Sequence, residues 1–452
     1  MALTGIQILK MLPKTNCGEC GVPTCLAFAM KVAAGQAEIG GCPYVSEEAK
    51  QQIGEASAPP IRTITLGGGD AVFKMGGETC IYRHEKRFEN PTGIAVLIKT
   101  DMSDAEIQGR LERFNALKYE RVGLELKADI VAVKDAGQGE AAFVSLVERV
   151  RSQCPNAALV LMSSDPSALT AAAKASGASR SLLYCATAGN LDAMAGVAKE
   201  TGAPLAVKGE TIGEVASLTE RLLSAGLKDL VIDTGARTMK AVFEDQVAIR
   251  RASIRHKFKP LGFPTITFPC EITEDLMLET LVASVLIAKY AGIVVLSDLR
   301  GESLFPLLLE RLNIYTDPQR PMVVQEDIYP INGPGEDSPV LITCNFSLTY
   351  FIVSGEVEGS KIPSWLLIKD TEGLSVLTAW AAGKFSADLI AGFVKKSGIA
   401  DRVRHRNLII PGYLASIKGE LEEELQGWNI QIGPREASHL PAFLRDWRAV
   451  AV

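Results

Sequence analysis

Four cysteines near the amino terminus have the residue type and the spacing of a metal or cluster site. Cys17, Cys20, Cys25 and Cys42 follow the pattern C-x2-C-x4-C-x16-C. Thiolates are soft ligands that favour zinc or iron–sulfur clusters, and four of them complete either kind of site. The spacing therefore predicts a metal centre within this short segment.

The residues between these cysteines favour one kind of centre over the other. A structural zinc site usually pairs two C-x2-C knuckles, and this segment has only one. Gly18 and Gly21 in the first loop, and Gly40 with Gly41 before the fourth cysteine, let backbone N–H groups approach the sulfur atoms. The pattern favours a [4Fe–4S] cluster, with zinc and unliganded thiols as the alternatives.

The composition indicates a globular, multidomain protein. The chain has 452 residues, of which 47% are hydrophobic and 22% charged, with a formal net charge of −6. A nucleic-acid surface is disfavoured because no basic block stands out. We predict no signal peptide and no membrane span, since the most apolar stretch, residues 281–299, is interrupted by Lys289 and Tyr290. The expected compartment is the cytoplasm.

The other five cysteines are not expected to form a disulfide framework. Such frameworks are typical of short secreted chains, whereas this chain is long and acidic. We expect these residues to be ordinary buried side chains: Cys80, Cys154, Cys185, Cys270 and Cys344.

The hydrophobic pattern divides the chain into three predicted domains. Residues 1–58 form a small cluster domain, and the stretch Gly54 to Arg62 has the composition of a flexible linker. Residues 59–314 alternate short β-branched runs with amphipathic helices, which at this length favours a TIM (β/α)8 barrel over a doubly wound sheet. The predicted strands are ITLGG, IAVLIKTD, DIVAVKD, ALVLMSS, SLLYC, PLAVKG, DLVIDTG, TITFP and IVVLSD.

A second βα series follows a break from Tyr315 to Ser338 that is dense in proline, glycine and acidic residues. The strands PVLITC, WLLIKD, NLIIP and NIQIG each precede a helical stretch. Residues 315–452 are therefore expected to form an open α/β sheet of Rossmann type.

Both ends of the chain resemble a known family. The segment NCGECGVPTCLAFAMKVAAG, followed later by Cys42-Pro43, resembles the Fe–S domain of the corrinoid/iron–sulfur protein large subunit, also called the gamma subunit of the acetyl-CoA decarbonylase/synthase complex. The segments LITCNFSLTYFIVSGEVEG, WLLIKDTEGLSVLTAWAAGKF and LIIPGYLASIKGELEEE resemble its C-terminal corrinoid-binding domain. The resemblance extends over essentially the whole chain.

The resemblance implies a methyl carrier of the reductive acetyl-CoA (Wood–Ljungdahl) pathway. In that family a cobamide in the Co(I) state takes a methyl group from methyltetrahydrofolate by way of a methyltransferase. Methyl-Co(III) then delivers the group to acetyl-CoA synthase, and the [4Fe–4S] cluster returns oxidised Co(II) to Co(I). The implied partners are a small barrel subunit in a heterodimer, the methyltransferase, acetyl-CoA synthase/CO dehydrogenase and a low-potential electron donor. No residue of this chain is assigned a catalytic role, although such carriers can be classed as Co-methyltransferases.

The corrinoid is expected at the carboxyl ends of the C-terminal strands, where loops and helix N-termini expose N–H groups. The alternative for each polar loop residue is ordinary helix capping. The candidate corrinoid-binding residues are Thr343, Asn345, Thr349, Asp370, Thr371, Glu372, Gly373, Leu374, Ser375, Thr378, Pro411, Gly412, Gly433, Arg435, Glu436 and Ala437.

The histidines indicate how the cobalt would be held. Many cobalamin proteins supply a lower axial histidine from a D-x-H-x-x-G motif, and none of His84, His256, His405 and His439 lies in one. A base-off cobamide is therefore expected, because the absence of a strong axial donor favours electron-rich Co(I).

The barrel is the least informative part of the sequence. Its relatives bind pterins, but no complete pterin site can be assigned to Asp101, Asp135, Asp233 and Asp298, which close predicted strands and are also typical caps. Two other function classes remain open: a barrel methyltransferase with an accessory cluster, and a corrinoid-free electron-transfer module.

Overall fold

The computed structural model describes residues 4–33, 37–50, 53, 58–121, 124–177 and 180–450. The chain forms two compact units, Met1–Leu117 with Lys127–Tyr315 and Lys118–Leu126 with Thr316–Val452. Residues 54–57 of the predicted linker lie outside the described residues. Among the helices that the structure describes, none is long and apolar enough to span a membrane.

The amino-terminal segment contains the helices α1 (Gly5–Met11) and α2 (Cys25–Ala33). Thr4 and Gln7 cap α1 reciprocally, each side chain bonding the backbone N–H of the other. The segment has an apolar core of its own, built from Ile8, Phe28 and nine further side chains.

A two-stranded antiparallel hairpin precedes the barrel. Its strands are β1 (Ile64–Leu66) and β2 (Phe73–Met75), paired from Ile64 opposite Met75 to Leu66 opposite Phe73. The prediction of ITLGG as a strand of the parallel series is therefore wrong. The run is β-branched and apolar, but the turn after it returns the chain antiparallel, and both strands pack against the barrel interior.

The remaining eight predicted strands form a nearly closed parallel barrel. In spatial order they are β10, β9, β8, β7, β6, β3, β12 and β11, and a parallel bridge from Ile232 to Thr265 links the two ends. The sequential order around the ring distinguishes a barrel from a doubly wound sheet. The bounds are β3 (Gly93–Lys99), β6 (Ile130–Lys134), β7 (Ala158–Met162), β8 (Leu182–Ala186), β9 (Leu205–Lys208), β10 (Leu230–Asp233), β11 (Ile266–Thr267) and β12 (Ile293–Leu296).

The barrel helices follow the strands in regular alternation. Several begin at side-chain caps, such as Ser103 bonding the N–H of Glu106 and Asp165 bonding that of Ser167. Their bounds are α3 (Asp104–Ala116), α4 (Glu140–Gln153), α5 (Pro166–Ala175), α6 (Leu191–Thr201), α7 (Ile212–Ser224), α8 (Met239–Ile254), α9 (Leu276–Ala288) and α10 (Gly301–Ile314).

The second unit is built on a five-stranded sheet in the order β13, β15, β14, β16, β17. Its strands are β13 (Asp327–Ile331), β14 (Val340–Cys344), β15 (Ser364–Lys369), β16 (Asn407–Ile410) and β17 (Asn429–Ile432). The last four run parallel, and β13 lies antiparallel at the edge. Numbered along the chain, the parallel strands run 2-1-3-4, which is the flavodoxin-like order with its switch point between β14 and β16.

Helices cover both faces of this sheet. The helices α11 (Ser347–Ser360) and α15 (Leu440–Asp446) pack on one face. The helices α12 (Val376–Ala381), α13 (Ala387–Lys396) and α14 (Lys418–Glu424) pack on the other. The sequence predicted one continuous helix where α12 and α13 lie, but Gly383 takes a φ of +68° between them and ends the first.

A hairpin from the barrel sequence belongs to the second unit. Its strands β4 (Tyr119–Arg121) and β5 (Leu124–Leu126) pair antiparallel. The guanidinium of Arg121 lies 3.9 Å from the centroid of the Phe351 ring on α11, a cation–π contact. The second unit therefore takes its residues from two separate stretches of the chain.

Candidate functional site

The four amino-terminal cysteines lie on two loops and at the start of one helix. Cys17 is exposed and Cys20 half-buried, whereas Cys25 and Cys42 are buried. Cys25 is the first residue of α2, and Cys42 follows a single helical turn, Ile39–Gly41. Cys25 and Cys42 belong to the apolar core of the segment, and Cys20 packs against it.

The loop that carries Cys17 and Cys20 depends on two glycines. Gly18 and Gly21 have φ values of +79° and +77°, and the N–H of Gly21 donates to the carbonyl of Gly18 at 2.9 Å. Side chains are disfavoured in this left-handed region, so glycine permits the turn. The turn places the two thiols within one short loop.

The donor set is four thiols on one short segment, the ligands of either a zinc site or an iron–sulfur cluster. Within the described part of the chain, no group of three or more His, Cys, Asp or Glu side chains is placed to hold one metal ion. A tetrahedral zinc site needs four sulfurs around one centre at about 2.3 Å. In a [4Fe–4S] cluster each thiolate binds a different iron, so the sulfurs stand further apart. The preference for a cluster over zinc therefore rests on the spacing of the cysteines, which includes only one C-x2-C knuckle.

Tyr44 lies beside this site. Its hydroxyl donates to Glu19 Oε1 at 2.8 Å, and this bond raises the pKa of Tyr44. The negative charges that Cys17 and Cys42 would carry as thiolates act on the tyrosine in the same direction. A polar side chain thus stands at the exposed edge of the cysteine site.

A cavity of about 290 Å³ opens in the second unit at the carboxyl ends of the parallel strands. It lies at the β14/β16 switch point, where open α/β sheets bind their ligands. Side chains from strand ends form its floor, among them Ile342 and Ile409. Loop residues such as Thr343 and Arg435 add polar atoms to its lining.

Half of the sixteen predicted corrinoid-binding residues line this cavity. The lining members are Thr343, Thr349, Ser375, Pro411, Gly433, Arg435, Glu436 and Ala437. The cavity does not include Asn345, Asp370, Thr371, Glu372, Gly373, Leu374, Thr378 or Gly412. Several of these eight hold the lining residues in place.

Asn345 organises the loop after β15. Its Oδ1 accepts hydrogen bonds from the N–H of Thr371 at 3.0 Å, the Thr371 hydroxyl at 2.9 Å and the N–H of Gly373 at 3.0 Å. Its Nδ2 donates to Asp370 Oδ1 at 2.7 Å. Asn345 is 3% exposed and Thr371 is fully buried, so both point into the loop. Glu372, at φ +57°, completes the turn.

Glycine brings the loops after β16 and β17 together. A Cβ on Gly412 would stand 2.6 Å from the carbonyl oxygen of Gly433 and 2.7 Å from the N–H nitrogen of Arg435. The N–H of Gly412 donates to the Pro434 carbonyl at 3.1 Å, and the N–H of Gly433 to the Ile410 carbonyl at 2.9 Å. Gly412 shapes one wall of the cavity through this close approach.

Sequence reasoning missed much of the apolar lining. Tyr413 was not among the predicted residues, and its hydroxyl donates to Glu436 Oε1 at 2.8 Å at the rim. Leu377 and Ile352 are exposed by 45% and 49%, unusual for large apolar side chains. Hydrophobic residues at strand ends and in first helical turns were the available signal. The other missed residues are Leu341, Ile342, Val353, Val376, Ile409, Ile410, Pro434 and Leu440.

No described histidine lines the cavity. His405 lies just before β16, where its Nε2 contacts the Ser338 carbonyl at 2.9 Å and its Nδ1 accepts from the N–H of Asn407 at 3.2 Å. It lies outside the described helices. His439 lies in the short turn before α15, not inside it, and is exposed.

The lining suits part of a cobamide. The apolar floor can contact the hydrophobic parts of the cobamide. The polar lining can hydrogen-bond the cobamide's amide side chains and nucleotide tail through Thr343, Thr349, Ser375, Arg435 and Glu436. The cavity is smaller than a whole cobamide, so it can enclose only part of one. Three apolar or aromatic side chains of the lining, Ile352, Leu377 and Tyr413, are each exposed by more than two fifths.

The strand-closing aspartates of the barrel are engaged in structural contacts. Asp233 is buried, where it accepts from Tyr184 Oη at 2.7 Å and from two nitrogens of Arg237 at 2.9 and 3.1 Å. Asp298 bonds Arg113 through both carboxylate oxygens. Asp135 accepts from Gly137 N–H and Ser163 Oγ, and Asp101 pairs with Lys99 at 3.4 Å.

Two thiols lie near the same end of the barrel. Burial raises the pKa of Cys185 to about 11, with the charge of Asp233 adding to the shift. Burial likewise raises the pKa of Cys270 to about 12, with Glu279 and Glu271 adding to it. Both thiols are therefore held protonated at neutral pH. They are only partly buried, so the expectation of buried side chains is met by Cys80, Cys154 and Cys344 but not by these two.

Two family models match the chain. Residues 63–444 match the model described as CO dehydrogenase/acetyl-CoA synthase delta subunit. Residues 12–44, which contain all four cysteines of the amino-terminal site, match a model described as putative Fe-S cluster.

Similar proteins align over nearly the whole chain. The corrinoid/iron-sulfur protein large subunit of Moorella thermoacetica is 44% identical over 98% of this chain and 99% of its own. The acetyl-CoA decarbonylase/synthase complex subunit gamma of Methanopyrus kandleri is 34% identical over 98% of this chain and 97% of its own.

Among solved structures, a 7,8-dihydropteroate synthase from Vibrio fischeri ES114 is 12% identical, with TM-score 0.38, over 50% of this chain and 94% of its own.

The full-length alignments decide between the subunit names. The family model that matches residues 63–444 is named after the delta subunit, but its match does not include the segment with the four cysteines. The large subunit and the gamma subunit align with this segment as well as with the rest of the chain. The chain belongs to the family of the corrinoid/iron–sulfur protein large subunit, the gamma subunit of the acetyl-CoA decarbonylase/synthase complex.

Proposed function

We propose that this chain is a methyl carrier of the reductive acetyl-CoA pathway. It would hold a base-off cobamide in the second unit and a [4Fe–4S] cluster on Cys17, Cys20, Cys25 and Cys42. When bound, the cobamide carries a methyl group from a methyltetrahydrofolate-dependent methyltransferase to acetyl-CoA synthase, and the cluster supplies the electron that reactivates oxidised cobalt. The predicted domains 1–58, 59–314 and 315–452 would divide these tasks, with a Rossmann-like corrinoid-binding domain last.

The observation that carries the proposal is the cavity at the β14/β16 switch point. Its floor is apolar, hydroxyl and charged groups stand at its rim, and no described histidine reaches it. The rim can bond the polar periphery of a corrinoid while the chain offers no imidazole to the metal from within the cavity. Such an environment favours a base-off cofactor.

The cysteine segment supports the second half of the proposal. Cys25 and Cys42 hold the inner side of the site within the apolar core, while Cys17 stands exposed. Burial on one side limits water access to a cluster, and the exposed side gives electrons a short path in and out. The segment would act as a reactivation device and not as part of methyl transfer.

The names of the relatives support a set of partners. They are called a large subunit and subunits of a complex, which favours a heterodimer with a small barrel subunit. The other proposed partners are the methyltransferase, acetyl-CoA synthase/CO dehydrogenase and a low-potential electron donor, all in the cytoplasm.

The test is an anaerobic absorption spectrum of the protein purified with its small subunit. We expect corrinoid bands together with the broad visible shoulder of thiolate-ligated iron. Cys20→Ala should remove the shoulder, the iron and the reductive activation, yet leave methyl transfer from chemically pre-reduced protein largely intact. Cys154→Ala, a buried thiol in the barrel, is the control that should keep all four properties.

Three outcomes would contradict the proposal. Absence of corrinoid bands would leave an electron-transfer module. Methyl transfer from methyltetrahydrofolate by this chain without any partner would favour a barrel methyltransferase. Equal loss of activation and methyl transfer in Cys20→Ala would remove the division of labour.

A further inference from the structure

Asn16 precedes the first cysteine and has a backbone conformation that few residues adopt. Its φ is +50°, in the left-handed region where asparagine is enriched among non-glycine residues. The side chain is exposed and belongs to no helix or strand. Neither its burial nor a regular element therefore explains this conformation.

Asn16 forms a reciprocal pair of contacts with Cys25. Its Oδ1 accepts from the backbone N–H of Cys25 at 2.8 Å, and its own backbone N–H points to Cys25 Sγ at 3.4 Å. The side-chain bond occupies one of the free N–H groups at the start of α2. It also fixes the direction in which the Asn16 N–H points.

We propose that Asn16 is a positioning residue that sets the reduction potential of the cluster, an inference that rests on the proposed function. Its side chain holds the first loop against α2, and its backbone N–H donates to a ligand sulfur. Hydrogen bonds to the sulfurs are among the features that set the potential of such clusters. One-electron reduction adds negative charge to the cluster, and a donor at Cys25 Sγ stabilises that charge.

Three substitutions separate the side chain from the backbone. Asn16→Gly keeps the left-handed φ but removes Oδ1, so the N–H is free to turn away from the sulfur. Asn16→Asp keeps an acceptor for the Cys25 N–H and should keep the loop in place. Asn16→Ala removes the acceptor and also disfavours the backbone conformation.

Thr24→Ala is the matched control. Thr24 Oγ1 accepts from the N–H of Ala27 at 3.1 Å, so it also satisfies a free N–H at the start of α2, but within the described part of the chain no hydrogen bond joins its side chain to a ligand sulfur. Its loss should weaken the helix start without moving the potential. A purely structural role for Asn16 would make the two variants alike.

The experiment is a potentiometric titration of the purified heterodimer followed by electron paramagnetic resonance, with iron and sulfide measured on each sample. At a potential where the wild-type cluster is half reduced, we expect the ratio of reduced to oxidised cluster to fall about tenfold in Asn16→Gly, a shift of about 59 mV for one electron. Thr24→Ala should titrate like the wild type. Asn16→Asp should keep the wild-type cluster content.

The outcomes separate this inference from the proposed function. A wild-type protein without iron and sulfide would refute the cluster itself. A wild-type cluster whose potential is unchanged in Asn16→Gly, or shifted equally in Thr24→Ala, overturns the role of Asn16. If Asn16→Gly assembles no cluster, full assembly in Asn16→Asp supports the role, and failure in both variants overturns it.

Discussion

Replacing Asn345 by alanine tests whether the loop after β15 builds the cavity at the β14/β16 switch point and whether that cavity binds the cobamide, as proposed. The side chain accepts from two backbone N–H groups, those of Thr371 and Gly373, and both residues are buried. The Thr371 hydroxyl has a second acceptor, the Leu374 carbonyl at 2.9 Å, and stays satisfied without Asn345. Asn345→Ala therefore leaves two buried donors without a partner.

The expected loss of stability follows from this count. Each unsatisfied buried donor costs about 1–3 kcal/mol, so two cost about 2–6 kcal/mol. Alanine leaves room for a water molecule, which places our expectation at about 2–3 kcal/mol in the free energy of unfolding. A loop weakened by that much no longer holds Ser375 and Leu377 at the cavity, and we expect cobamide affinity to fall more than tenfold, at least about 1.4 kcal/mol.

Asn407→Ala provides a matched control on the same sheet. Asn407 is also fully buried, and its Oδ1 accepts from Asn429 Nδ2 at 2.8 Å, Gln431 Nε2 at 3.2 Å and the N–H of Val450 at 3.2 Å. It begins β16, at the opposite end of the sheet from the cavity. Urea unfolding should show a smaller destabilisation, because the donors it leaves behind on Asn429, Gln431 and Val450 are half-buried or exposed, while spectroscopic titration with cobamide should show an unchanged affinity.

Two results would refute the reasoning. If Asn345→Ala loses stability but binds cobamide as tightly as wild type, the loop is not part of the site. If both asparagine variants lose affinity equally, the effect comes from general destabilisation of the unit and not from the loop.

Three further predictions concern a close approach, a buried ion pair and a thiol. Gly412→Ala should weaken cobamide binding, because the added Cβ meets backbone atoms of the neighbouring loop at 2.6 Å. Gly419→Ala, which has open space around its Cβ, should bind cobamide normally. Equal cobamide affinities of the two variants in a titration would contradict this. Arg237→Ala should destabilise the barrel by about 3–5 kcal/mol in urea, since it leaves the buried carboxylate of Asp233 unpaired, and adding Asp233→Asn should restore part of the loss. The pKa of the Cys185 thiol rises from 9.0 to about 11 on folding, so the thiol ionises at lower pH in the unfolded chain than in the folded one. The free energy of unfolding should therefore fall as the pH rises between these values. Cys185→Ser should flatten this pH dependence, and an unchanged dependence would show that other groups cause it.

The barrel could be predicted from sequence because each strand carries its own signal. Runs such as IAVLIK and IVAVK are buried on both faces and end in a polar residue, and helices of regular length separate them. The hairpin strand Ile64–Leu66 has the same composition as the barrel strands. Only its pairing with the antiparallel strand β2 shows that it does not belong to the barrel. The edge strand Asp327–Ile331 was hidden in a segment rich in proline, which an edge strand tolerates at Pro330.

The candidate site was predicted only in outline. Polar residues at strand ends identify the edge of the sheet where the cavity opens, but pattern alone cannot tell which of them turn inward. Asn345 and Thr371 have the same sequence character as Thr343 and Ser375, and only the folded loop shows that the first two bond each other. Apolar lining residues such as Leu377 look like core residues in sequence, because exposure depends on tertiary packing.

The hairpin Tyr119–Leu126 has a practical consequence for dissecting this protein. Because it packs with the second unit through Arg121 and Phe351, no single cut in the chain releases that unit whole. A fragment that starts at Thr316 would lack this hairpin and leave the Phe351 ring without its cation. Expression of the isolated second unit should therefore graft residues 118–126 onto it, and a protease nick in the hairpin should loosen the part of that unit that begins at Thr316.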